Sequence, residues 1–151
     1  MKQFSFNLES ILDVRKYHEQ EAEIALGRAV GELIRIERNI TAVASEKARV
    51  SSERFALGYG VAEIMTFDRY VQRLDATKER LIKDAAQAEL KVEAAREVYL
   101  EASRNRDVLD KVKSDEAAAY RKEIFNEEAK VLDDIAGSAY IRRRFLKESP
   151  A

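Results

Sequence analysis

Apolar residues recur along this chain at alternating steps of three and four. One series runs Leu8, Arg15, Ala22, Ala29, Ile36, Val43, Val50 and Leu57, apolar everywhere but Arg15. Its companion runs Leu12, Glu19, Leu26, Leu33, Ile40, Lys47 and Arg54. After an interruption the pattern resumes. Phe67, Leu74, Leu81, Ala88, Ala95, Ala102 and Leu109 are all apolar, with Val71, Lys78, Ala85, Val92, Tyr99 and Arg106 as companions. A 3.5-residue repeat held this long specifies a left-handed coiled coil. Its alanines imply locally close helix approach.

Punctuation sets the number of helices. The single proline, Pro150, lies at the end, and Gly27 and Gly31 lie inside a helical stretch, facing outward in the heptad frame. Only Gly58 and Gly60 form a plausible break. The pattern therefore predicts one domain over residues 1–151, with helix one over about 7–57, a turn over about 58–65 and helix two over about 66–146. Asn7 is the expected cap of the first helix, with Phe6 and Ile11 as a hydrophobic staple and Glu9 favouring the helix dipole. Thr66 is the expected start of the second, with Asp68 in its first turn and Met65 and Tyr70 as a second staple.

The two arms are unequal: roughly 75 Å against roughly 120 Å at 1.5 Å per residue. Folding near residue 60 places Leu8 opposite the region of Lys113 and leaves residues beyond about 115 without a partner arm. That stretch still carries an apolar stripe: Tyr120, Ile124, Phe125, Val131, Leu132, Ile135, Ala136, Ala139 and Tyr140, then Phe145 and Leu146. Such a stripe is expected to meet another surface. The fold class is all-α: an antiparallel two-helix coiled-coil hairpin whose longer second helix overhangs at the termini end. A compact bundle would need more than one break.

Composition narrows the function classes. Charged residues make up 36% and hydrophobic residues 46%, so the chain has apolar surface to bury along a seam and is not disordered for want of it. The net charge of −1 argues against a dedicated nucleic-acid binder. There is no cysteine, hence no disulfide and no thiol nucleophile, and a reducing cytoplasmic address fits. No apolar run approaches a membrane span. Asn7, Glu9 and Asp13 interrupt the place where a signal peptide needs apolar residues, so the N-terminus reads as mature, soluble sequence.

Candidate chemistry is thin. His18 is the only imidazole, and Arg15 stands where a Glu-x-x-His motif needs its carboxylate, so no metal site is expected. Asp133 and Asp134 are adjacent carboxylates, but acid–base work needs a sheltered cleft. Gly58-Tyr59-Gly60 starts like a dinucleotide fingerprint, yet Glu63 occupies the third glycine's place and no phosphate loop follows. No catalytic residue and no cofactor are expected. Gly27 and Gly31 leave either a flex point or a close-contact surface open. Arg142, Arg143, Arg144 and Lys147 form a basic end that suits the helix dipole, an acidic protein surface or anionic lipid, with nucleic acid the weakest reading.

The order of these pieces resembles the FliJ family of flagellar export proteins. The opening Phe4-x-Phe6-x-Leu8-x-x-Ile11-Leu12-Asp13-Val14-Arg15 is similar to that family's N-terminal signature. FDRYVQRLDATKERL after the glycine turn resembles its second-helix start. Leu132-Asp133-Asp134, Ala136 and Arg142 to Arg144 fill the places of its C-terminal pattern. The resemblance implies a non-enzymatic stalk and adaptor, shaped like the central helices of a rotary ATPase. Implied partners are the hexameric flagellar export ATPase FliI, the export gate protein FlhA and export chaperones. The implied place is cytoplasmic, peripheral at the inner-membrane export apparatus, with the free chain a monomer. By the same resemblance, gate contact is expected at Tyr70, Leu74 and Leu81. ATPase contact is expected at Leu132, Ile135, Tyr140, Arg142, Arg143 and Arg144. A virulence-system stalk, or an unrelated coiled coil that dimerises through the overhang, would share this pattern.

Overall fold

The computed structural model describes residues 4–53 and 58–148, with side chains to residue 145. Two helices make up the chain, α1 (Glu9–Glu53) and α2 (Val61–Glu148), and they pack against each other as an all-α hairpin. Arg54 and Leu57 of the heptad series, the side chains of Leu146 and Lys147, and Pro150 lie outside the described residues.

The chain divides into two units. One comprises Arg15–Arg104, and the other comprises Met1–Val14 with Asn105–Ala151. Within the first unit the helices run antiparallel. Lys47 Nζ meets Asp75 Oδ1 at 2.5 Å and Lys91 Nζ meets Glu32 Oε1 at 3.9 Å, so a low number on α1 faces a high number on α2. The seam is the one the heptads predict. Ala22, Ile36, Val50, Ala88 and Val92 are buried. The companion positions Glu19, Leu26, Leu33, Ile40 and Lys47 are half-buried. Arg15 is the exception, exposed at a core place. Lys47 tolerates the seam because Asp75 supplies a charge-assisted hydrogen bond across it. Two of the five buried seam residues are alanines, which lets the backbones come close.

The second unit shows the same packing in another form. Leu12 is fully buried and Phe6 nearly so, while Glu9 accepts a hydrogen bond from Lys113 at 2.8 Å. The Lys113 ammonium also sits 6.0 Å from the centre of the Phe6 ring. Arg106, a seam residue on α2, is held by Asp110 at 2.5 Å and Asp107 at 2.9 Å.

Both expected helix starts are corrected. α1 begins at Glu9. Its first turn is closed by the Glu9 N–H donating to Phe6 O and the Leu12 N–H donating to Leu8 O, with no Asn7 cap bond among the described residues. Phe6 is buried, whereas Ile11, the other half of the expected staple, is 48% exposed. α2 begins five residues before Thr66. Gly60 is its cap: the Gly60 N–H donates to Glu63 Oε2 at 2.6 Å and Gly60 O receives the Ile64 N–H. This is the reciprocal half of a capping box, with glycine in place of serine or threonine. Thr66 is interior, its hydroxyl donating back to Ala62 O, and Met65 of the expected second staple is 57% exposed.

Glycine placement gives a direct stability test. Gly58 has φ 116°, a conformation that L side chains avoid. Gly27 and Gly31 are helical and a Cβ on either meets nothing within 4 Å. Gly58→Ala is expected to destabilise by about 1 kcal/mol, and Gly27→Ala and Gly31→Ala to stabilise by about 0.5–1 kcal/mol each, read from urea unfolding followed by circular dichroism.

Candidate functional site

The exposed end of α2 lies wholly within the second unit. It starts later than residue 115. The Phe4 ring packs on Tyr120 at 5.6 Å between centroids, and half-buried positions continue through Ile124 to Ala129. The reason is chain geometry. Residues 4–8 are not helical, and a non-helical residue spans up to about twice the 1.5 Å rise of a helical one. Five such residues therefore cover more of α2 than a helical continuation would.

From residue 130 to 145 every position is exposed. Leu132, Ile135 and Tyr140 are 66%, 60% and 68% exposed, and Val131, Ile141 and Phe145 join them. The side chains form two shallow grooves. Tyr120, Ile124, Val131 and Leu132 line the first, together with Glu123, Glu127 and Glu128. Val131, Ile135 and Ala139 line the second, with Asp134, Arg142 and Arg143. All six residues expected at the ATPase contact thus stand in solvent on this end. Leu132 belongs to the first groove, and Ile135, Arg142 and Arg143 to the second.

The tip lies in the first unit. Its gate candidates divide. Leu74 and Leu81 are half-buried in the seam, where packing already uses them. Tyr70 is 39% exposed and its hydroxyl donates to Glu46 Oε1 at 3.2 Å. Glu46 is also gripped by Arg49, at 2.9 Å and 2.7 Å, while Arg49 reaches Glu53 at 2.6 Å. The Arg49 hydrogen bonds hold the Glu46 carboxyl below the usual carboxylate range, and the Tyr70 hydroxyl adds a smaller push the same way. The same carboxylates, Glu46 first and then Glu53, raise the Arg49 guanidinium.

The sequence marks Phe67 only as a seam position and Tyr59 only as the middle of the glycine motif, not as a pair. Their rings meet edge to face at 5.2 Å and, with Glu63, Thr66 and Tyr70, line a small apolar hollow. Tyr59 lies between Gly58 and Gly60, so its place in the turn masked its packing role. The signal available was two aromatic residues eight apart across a helix start. Val61 and Met65 are exposed beside it, at 77% and 57%.

His18 is exposed, with its ring 6.0 Å from that of Tyr17. Tyr17 donates to Glu21 at 2.8 Å, and that bond raises the phenol above its ordinary value. Among the described residues no group of three or more His, Cys, Asp or Glu is placed to hold a metal ion. Asp133 and Asp134 stand in solvent on one helix. Among the described residues no helix is long and apolar enough to cross a membrane.

Residues 4–145 match the family model described as Flagellar FliJ protein. No curated protein and no solved structure matches the chain. The hairpin with its capped glycine turn, the Phe4-to-Leu12 lock and the bare C-terminal stripe all lie within the matched span, and the chain belongs to the FliJ family, as a component of the flagellar protein export apparatus.

Proposed function

We propose that this chain is a non-enzymatic stalk and adaptor. It binds the hexameric export ATPase FliI through the exposed end of α2 and promotes the assembly and activity of that hexamer. The observation that carries this reading is the run of exposed apolar residues ending in Arg142, Arg143 and Arg144. Exposed leucine, isoleucine and aromatic side chains supply most of the energy of a contact once desolvated, and arginines at its edge set the approach. A solitary helix also suits insertion into a ring, where it presents side chains all round.

The tip is the second contact, with the export gate protein FlhA. Tyr70 is the expected anchor, because it is 39% exposed whereas Leu74 and Leu81 are half-buried at seam positions. The hollow formed by Tyr59 and Phe67 extends that surface. Export chaperones are further partners, and the chain reaches the inner membrane through its partners. The family match favours the flagellar machine over a virulence secretion system.

The test is the turnover and hexamer fraction of the flagellar ATPase with and without this chain. Both are expected to rise with stoichiometric addition. No binding and no change, from a well-folded helical chain, would sink the stalk reading.

A further inference from the structure

The exposed end of α2 is electrically lopsided. From residue 123 to 134 it carries Glu123, Glu127, Glu128, Asp133 and Asp134 against one base, Lys130. From residue 135 to 145 it carries Arg142, Arg143 and Arg144 and no acid. The two groups share one continuous stripe, since Val131 lines both the groove that holds Glu127 and Glu128 and the groove that holds Arg142 and Arg143.

Glu127, Glu128, Arg142 and Arg143 form no ion pair with any described residue. They cannot reach each other on one helix, being roughly 20 Å apart along its axis. Ile135 stands midway between them, 60% exposed.

We propose that this end pairs with the same end of a second copy of the chain, as an antiparallel two-helix coil with its two-fold axis near Ile135. Antiparallel alignment sets Glu127 and Glu128 of each copy beside Arg142 and Arg143 of the other. Parallel alignment sets like charges together, which disfavours it. The contact is isologous and closes on itself, so it gives a dimer and not a filament. Apolar residues fill its middle: Val131 and Ala139 flank the meeting of the two Ile135 side chains. Only about three heptads take part, so the pair is weak and reversible, and the dilute chain is a monomer. The pairing goes beyond the stalk reading. Only one consequence rests on that reading: the two uses share a face and exclude each other.

The full chain is tested alone, by sedimentation equilibrium up to about 1 mM, where a millimolar complex is substantially formed. The mass is expected to rise with concentration from 17.3 kDa towards twice that value. Glu127→Lys with Glu128→Lys is expected to weaken association on the order of tenfold, and so is Arg142→Glu with Arg143→Glu. An equimolar mixture of those two variants is expected to associate again, because every contact between them is then between opposite charges. The fourfold variant carrying all these changes is expected to regain self-association. Circular dichroism confirms that each variant remains helical. A chain that stays at 17.3 kDa throughout overturns the proposal. So does a wild-type dimer that neither pair of reversals weakens, or two weakened variants that fail to associate when mixed. Since no ATPase is present, failure here leaves the stalk reading intact, and loss of ATPase stimulation leaves this one intact.

Discussion

Removing residues 126–151 is expected to abolish stimulation of the flagellar export ATPase while leaving the rest of the chain helical and cooperatively folded. The cut falls after Tyr120, which packs on Phe4, and after the half-buried Ile124, and before the fully exposed stretch. It removes Val131, Leu132, Ile135, Tyr140 and Phe145, none of which is buried in the free chain. The folded state therefore loses little packing, whereas a docked state would lose its anchors. Leu132→Ala with Ile135→Ala should reproduce much of the loss. Two central apolar anchors are worth about 2–4 kcal/mol together, or roughly 30-fold to 1,000-fold in affinity. Arg142→Ala with Arg143→Ala should act mainly on association rate and salt dependence, because charges at an interface edge steer more than they hold. The readouts are ATPase turnover, binding by sedimentation and thermal unfolding by circular dichroism. Full stimulation by the shortened chain would move the ATPase contact onto the hairpin.

Much of this arrangement was legible because a coiled coil states its packing in its own repeat. The heptad frame marks Ala22, Ile36, Val50, Ala88 and Val92 as seam residues, and these are buried. It also faces Gly27 and Gly31 outward, where a Cβ meets nothing within 4 Å. The helix starts were less legible, since several residues can cap and only geometry chooses. Thr66 has the better capping side chain, but Gly60 is followed three residues later by Glu63, whose carboxylate reaches back to the Gly60 N–H. At the first helix, Asn7 was the stronger cap by residue type, yet burial of Phe6 and Leu12 sets how the chain enters. The reach of Phe4 to Tyr120 was illegible for a different reason. It depends on residues 4–8 not being helical, and heptad counting has no term for that. The division of the gate candidates has a similar origin. Leu74 and Leu81 satisfy both a family pattern and the seam, and both are half-buried.

Leu12→Ala is expected to be the most damaging single substitution for stability, at about 2.5–5 kcal/mol. Leu12 is the only fully buried large side chain among the described residues. Deleting most of it loses its transfer energy and leaves a cavity that straight helices close poorly. Against a total stability of about 5–15 kcal/mol this is a large fraction. Leu90→Ala is the matched control. That leucine is 72% exposed, and its loss should fall within about 0.5 kcal/mol. The damage should also be local before it is global. Leu12 belongs to the unit formed by Met1–Val14 and Asn105–Ala151, and Phe6, Glu9 and Lys113 are its fellow members. Hydrogen exchange should therefore quicken first at residues 9–14 and 105–120, with residues 15–104 holding their protection longer. Equal acceleration in both units would mean that the N-terminal lock and the hairpin unfold as one. A change below about 1 kcal/mol would mean that the lock contributes little in solution. The lock also sets where the exposed stripe begins. Releasing Phe4 uncovers Tyr120, lengthens the bare end of α2 and joins a folding defect to a change in the surface offered for binding.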